Sequence, residues 1–102
     1  MVVRTWRGRT RLEDVDAYLE YLEGTGLREY RATPGNRGVQ VLRRDVGNEA
    51  EFLILSTWDS MDAVRKFAGP TPDKAVFYPE DDRYLTDFDR DVRHYELLFQ
   101  TP

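Results

Sequence analysis

Apolar residues fall on both parities of the stretch Glu51 to Trp58, with Phe52 and Ile54 on one face and Leu53 and Leu55 on the other. A strand of that kind needs cover on both sides. It breaks at Asp59-Ser60, where a capping side chain starts a short helix with Met61, Val64 and Phe67 on its apolar face and Ala68 beside them. Gly69-Pro70 ends that helix. Upstream, Val2 to Arg9 reads as a strand. Thr10 and Glu13 fit a capping box, and the helix that follows places Leu12, Val15, Leu19 and Leu22 on one stripe with Tyr18 alongside. Gly24 and Gly26 stop it.

Leu27 to Asn36 shows no periodicity and reads as irregular, with a turn at Pro34-Gly35. Gly38 to Asp45 is a second strand, joined by a hairpin turn at Val46-Gly47-Asn48 to the third. Thr71-Pro72-Asp73 has the hydroxyl and early proline of a helix start, so a further short helix through Ala75, Val76 and Phe77 is expected, breaking near Pro79. Glu80 to Asp91 reads as an acidic loop with a helical turn around Tyr84-Leu85. Val92 to Phe99 is the last strand.

The main elements run β-α-β-β-α-β, which predicts an α+β, ferredoxin-like domain with an antiparallel sheet and both helices on one face. The other face is then bare, and Leu53 and Leu55 or Phe52 and Ile54 lie on it. Packing two such faces together removes apolar surface from water at roughly 25 cal/mol per Å². The pattern therefore predicts a homodimer through the sheet faces.

Composition narrows the partners. The 102 residues carry 15 Lys and Arg against 19 Asp and Glu, a net charge of −4, without the basic footprint of a nucleic-acid binder. No apolar run reaches the length of about 18 residues that a membrane helix needs, and Met1 to Arg11 lacks the apolar block of a secretory signal. With no cysteine and one histidine, thiolate chemistry is excluded and a transition-metal site lacks ligands. A cytoplasmic location follows as the default expectation. Asp87, Asp89 and Asp91 alternate, but Val92 and Leu98 stand where a calcium loop needs Gly and Glu.

The segments Pro34 to Arg44, Phe52 to Phe67 and Val92 to Leu98, with Trp58-Asp59-Ser60 at a strand end before a helix, resemble the antibiotic biosynthesis monooxygenase family of dimeric α/β-barrel proteins. The resemblance runs in order along nearly the whole chain and implies a single domain over residues 1–102. It implies oxidation of a small aromatic or polyketide-like substrate by molecular oxygen without a bound cofactor, in a cavity between sheet and helices. The family also holds heme-degrading enzymes and quinol oxygenases. Trp58 matches the family's cavity-lining Trp. Ile54 and Val64 stand where the anthrone-oxidising members have Asn and Tyr. Ala68, with Phe67 and Gly69, fills the region of the heme-binding His, and no Asn lies between Val2 and Arg9. The heme-degrading alternative thus lacks its His and Asn.

Candidate site residues follow from side-chain chemistry. His94 and Glu96 share a parity on the last strand, about 7 Å apart, and are the candidate acid–base pair; a structural His at a sheet face is the competing reading. Trp58 and Tyr78 are candidate substrate walls, although a Trp at such a strand end more often packs where helix meets sheet. An Arg at a cavity could hold a substrate oxyanion; Arg4, Arg43 and Arg44 lie on strands, and the sequence does not select among them. The alternative functions are a noncatalytic dimer that binds a small hydrophobic ligand or a partner, and lyase or isomerase chemistry by one base in a dry pocket.

Overall fold

The computed structural model describes all 102 residues. The chain forms β1 (Val2–Arg11), α1 (Val15–Gly24), α2 (Gly26–Ala32), β2 (Asn36–Val46), β3 (Glu49–Trp58), α3 (Met61–Ala68), a helical turn α4 (Asp81–Tyr84), β4 (Leu85–Phe88) and β5 (Arg93–Glu96). The sheet is antiparallel in the order β2-β3-β1, with β4 and β5 pairing in succession along the free edge of β1. β4 and β5 thus replace the single final strand of the ferredoxin-like arrangement, and the fold class is as the sequence predicts. No helix is long and apolar enough to cross a membrane.

Strand parity divides the side chains between two faces. On the covered face Phe52, Ile54, Ser56 and Trp58 are buried beneath the helices, in register with Gly8, Trp6, Arg4 and Val2. Trp58 and Tyr30 pack edge to face at 5.9 Å, and Tyr18 meets Phe52 at 5.0 Å. The other face carries Leu42 and Leu53, 45% and 36% exposed, with Leu55, Val3 and Tyr95 on the same side by register. At one end of it Glu51 accepts from Arg7, Arg9 and Arg44 at 3.3, 3.3 and 2.6 Å, a charged border to the apolar patch.

Several local expectations are corrected. The capping box at Thr10 does not form: β1 runs on to Arg11, the Thr10 hydroxyl donates to the Arg11 carbonyl, and a 3-10 turn at Leu12–Asp14 precedes α1. That delay rotates the buried stripe of α1 to Val15, Tyr18 and Leu22, leaving Leu12 and Leu19 exposed. The segment from Leu27 is helical, and Leu27 and Tyr30 bury its inner face. A single apolar pair at i and i+3, Leu27 and Tyr30, is too short a pattern to stand out from sequence noise. Residues 71–80 form no helix; they make an extended strap across the covered face, bridged to Asp91 at Lys74. β5 ends at Glu96, since Leu97 N–H donates to Met1 O and β1 offers no partner beyond that point. Ser60 caps α3 as expected, accepting from Ala63 N–H at 3.2 Å.

Gly35 ties this scaffold together. Its φ is +92°, its carbonyl accepts from Asp59 N–H, and an added Cβ would lie 2.5 Å from the Ala63 Cβ. Gly35→Ala combines left-handed strain with a clash against α3, so a loss of about 1–3 kcal/mol is expected. Urea unfolding monitored by Trp fluorescence measures it.

Candidate functional site

The covered face of the sheet, α1, α2 and the strap line a partly open cavity of about 30 Å³. Its walls are mostly apolar or aromatic, including Trp6, Leu27, Ile54, Phe67 and Phe77. Four polar positions matter to its chemistry: Arg4 from β1, Tyr30 from α2, Tyr78 from the strap and Asp81 from α4. Asp81 is the only carboxylate among the lining residues. A space of this size holds about one water; an engineered apolar cavity of about 150 Å³ is what accommodates a benzene. An aromatic substrate therefore has to displace part of the wall. The strap is the part without regular secondary structure.

Each polar side chain has a defined setting. Asp81 is 7% exposed, and its Oδ2 accepts from Tyr78 N–H at 2.6 Å. Burial, only partly offset by that bond, raises its pKa above the usual carboxylate range. Tyr78 donates through its hydroxyl to Glu29 at 2.6 Å, latching the strap to α2. Burial and that carboxylate hold it firmly as the neutral phenol. Burial likewise keeps Tyr18 and Tyr30 protonated.

Arg4 is 2% exposed and sits under the strap. Nη1 donates to the Pro72 carbonyl and to His94 Nε2, the latter at 3.2 Å, and Nη2 donates to Lys74 O at 3.1 Å. The guanidinium also lies 5.7 Å from the centre of the Phe67 ring. No carboxylate pairs with it, and Nε has no partner at all.

The contact with Arg4 decides the state of His94. A guanidinium can only donate, so His94 Nε2 accepts and the proton sits on Nδ1, which lies 3.2 Å from Asp73 Oδ1. Burial and Arg4 lower the His94 pKa, against the pull of Asp73. The fold thus favours neutral His94 over the unfolded chain, and the stability this brings is present above the unfolded pKa of about 6.5 and lost as pH falls toward the lower folded value. Unfolding midpoints should drop across that window, and His94→Gln should remove this part of the drop. Thermal melts at a series of pH values measure both.

The geometry therefore separates the residues the sequence singled out. Tyr78 lines the cavity. His94 shares a face with Arg4 but is not a lining residue, and its free lone pair is occupied. Glu96 is exposed on the same strand, and the carboxylate beside His94 is Asp73 instead. Trp58 is fully buried behind the cavity wall, its indole N–H donating to Ser56 Oγ at 2.9 Å. Ser56 links Trp58 in turn to the Arg4 carbonyl at 3.5 Å. Sequence reasoning missed Asp81 and Asp73. Neither carries a local signal, since each lies in a run of acids and only the path of the strap distinguishes it.

A family model described as antibiotic biosynthesis monooxygenase matches residues 1–71. The chain belongs to the antibiotic biosynthesis monooxygenase family. The matched stretch covers β1 to α3 and ends as the strap begins, so Arg4, Tyr18, Glu29, Tyr30 and Ser56 lie inside it, and Asp73, Tyr78, Asp81 and His94 lie beyond it. No curated protein matches the chain. Among solved structures, an antibiotic-biosynthesis-monooxygenase-type protein of Bacillus cereus superposes with a TM-score of 0.68 at 16% identity, over 99% of this chain and 94% of its own. One of Nitrosomonas europaea gives 0.66 at 13%, over 97% and 100%. A heme-degrader of Mycobacterium tuberculosis, solved with two hemes in its active site, gives 0.61 at 19% over 100% of both chains. At these identities the likeness establishes the fold shared across the antibiotic biosynthesis monooxygenase family.

The cavity residues do not fit a heme. No His, Cys or Met lines it, the only histidine has both ring nitrogens engaged elsewhere, and the lining tyrosines are held as neutral phenols.

Proposed function

We propose that the protein is a cofactor-independent monooxygenase, acting as a homodimer on a small aromatic substrate bound between the sheet and the strap. The observation that carries this reading is a single buried carboxylate, Asp81, in a small cavity whose walls are mostly apolar or aromatic. A carboxylate made more basic by burial suits removal of a proton from an activated carbon. The substrate belongs to the class of anthrones and related hydroxyarenes, whose ring CH₂ or tautomeric CH is acidic.

In this mechanism Asp81 takes the proton from carbon, and the carbanion supplies electrons to oxygen. A carbon–oxygen bond forms and protonation gives a hydroperoxide. The O–O bond then breaks as the remaining hydrogen leaves with the outer oxygen as water. For a ring CH₂ the sum is CH₂ plus O₂ giving C=O plus H₂O, so one oxygen atom enters the product and the substrate supplies all four electrons. Apolar walls around the bound substrate protect the carbanion from reprotonation by solvent, and Tyr78 forms part of those walls. The role of base passes from His94 and Glu96 to Asp81, because His94 Nε2 already accepts from Arg4 and Glu96 faces solvent.

The dimer is proposed through the open sheet face, where Leu42, Leu53, Leu55 and Tyr95 form the patch bounded by the Glu51 arginines. Oxygen uptake with a panel of anthrones and hydroquinones tests the activity. Uptake above autoxidation, unchanged in Glu96→Gln, is the expected result. Absence of uptake across the panel favours the noncatalytic binding protein, which Ile54 and Val64 also favour by standing where anthrone-oxidising relatives have Asn and Tyr.

A further inference from the structure

We propose that Arg4 and His94 form a pH-sensitive clamp on the strap, and that uptake of a proton by His94 releases the strap and opens the cavity. The proposal rests on reading the cavity as the substrate site and adds how entry to it is controlled.

Two side chains grip three consecutive strap residues. Arg4 and His94 stand opposite each other on the paired strands β1 and β5. Arg4 donates to the carbonyls of Pro72 and Lys74, and His94 Nδ1 lies 3.2 Å from Asp73 Oδ1. The two side chains meet at Arg4 Nη1 and His94 Nε2, 3.2 Å apart. Beyond this grip, Ala75 N–H donates to Arg90 O at 2.9 Å and Val92 N–H to Asp73 O at 2.8 Å. Those two bonds fasten the strap to the segment that leads into β5. Ala75 and Val92 both line the cavity, so parting the bonds opens its wall.

The junction suits one protonation state only. Neutral imidazole offers Nε2 as an acceptor, whereas imidazolium donates from both nitrogens. Protonated His94 therefore points an N–H at a guanidinium that can only donate, and two cations meet where Arg4 is 2% exposed. The surrounding charges do not offset this. Asp73 favours the imidazolium, but its side chain is 81% exposed and water screens it. Lys74 is a further cation, paired at the surface with Asp91. Arg93 and Glu96 of β5 are exposed. Tyr30 of α2 and Phe67 of α3, the other neighbours of Arg4, carry no charge. Relief requires water to reach the pair. The sheet ladder holds β1 to β5, so the strap is the part free to lift. His94 then titrates near its ordinary value of about 6.5, above its value under the closed strap, and acid favours the open state. As the only histidine, it is the one side chain of the chain that ordinarily changes charge between about pH 5 and 8.

Amide hydrogen exchange followed by NMR, with no substrate present, tests the clamp independently of the oxygenase reading. Rates are corrected for the intrinsic pH dependence of exchange. The Ala75 and Val92 amides report the strap, and amides of the β2–β3 ladder report global unfolding. The strap amides are expected to be less protected than the ladder, as for a local opening. They should lose at least about threefold in protection between about pH 7.5 and about pH 5, the change that about half a unit in the His94 pKa produces. In His94→Gln, whose side-chain oxygen can accept from Arg4 but takes up no proton, that loss should vanish. If this variant does not fold, the unaltered protein decides: the loss should level off below the pH at which the His94 ring signals titrate. Strap protection independent of pH, strap amides as protected as the ladder, a loss that runs on past the His94 titration, or an unchanged loss in folded His94→Gln would overturn the proposal. Acid release of the strap together with no oxygen uptake would uphold the clamp and sink the oxygenase reading alone.

Discussion

Asp81→Asn is expected to lower oxygen uptake by about 10²- to 10⁴-fold, the usual range for loss of a positioned base, without lowering the unfolding midpoint at neutral pH. The two halves of this result have one cause. Burial raises the folded-state pKa of Asp81, so the fold disfavours its charged form. Such a group contributes stability below its unfolded pKa of about 3.9 and loses it as pH rises through the folded value. At neutral pH the carboxylate is therefore a cost to the native state. Asn carries no charge, and its side-chain oxygen can keep the bond from Tyr78 N–H now made by the carboxylate. Stability should hold or rise while activity falls, the trade-off characteristic of a functional group. Uptake assays and thermal melts on the same preparation measure both. Near-normal uptake in Asp81→Asn, with loss in His94→Gln, would return the role of base to His94.

Leu42→Lys combined with Leu53→Lys should give a folded monomer, whereas Ile54→Lys alone should not fold. The three residues lie together on paired strands, with Val41 opposite Ile54 and Leu42 opposite Leu53. Parity sends Leu42 and Leu53 to the open face and Ile54, 4% exposed, into the core between sheet and helices. Two ammonium groups on the open face remain hydrated in a monomer but would be stripped of water at a sheet-to-sheet interface. An ammonium at Ile54 would instead be carried into the buried core, where taking a charge out of water is costly. Sedimentation equilibrium and circular dichroism separate the outcomes. A double variant that sediments as a dimer would show that the open face is not the interface.

These expectations rest on residues that differed greatly in how well the sequence disclosed them. Alternation through Phe52, Leu53, Ile54 and Leu55 was enough to predict a strand with two buried demands, because side-chain direction along a strand is fixed by backbone geometry alone. The Asp59-Ser60 break and the stop at Gly69 defined α3 for the same local reason. Together with the order of the elements they determined the ferredoxin-like fold. Which face of β3 lay under the helices was not local: it followed from the register with β1, which places Ile54 against Trp6 and Leu53 against Arg7.

The site was decided almost wholly by tertiary structure. His94 stood out by being unique, Trp58 by its strand-end position, and Glu96 by sharing the parity of His94. None of those signals contains the strap. Its path, set by Arg4 reaching the carbonyls of Pro72 and Lys74 some 68 and 70 residues away, delivers Asp73 to His94 and Tyr78 and Asp81 to the cavity. Sequence determined the periodic elements because periodicity is a property of neighbouring residues. The choice of one buried arginine from three strand candidates, and of one aspartate from an acidic run, depended on contacts between distant segments, and only the folded chain brings those together.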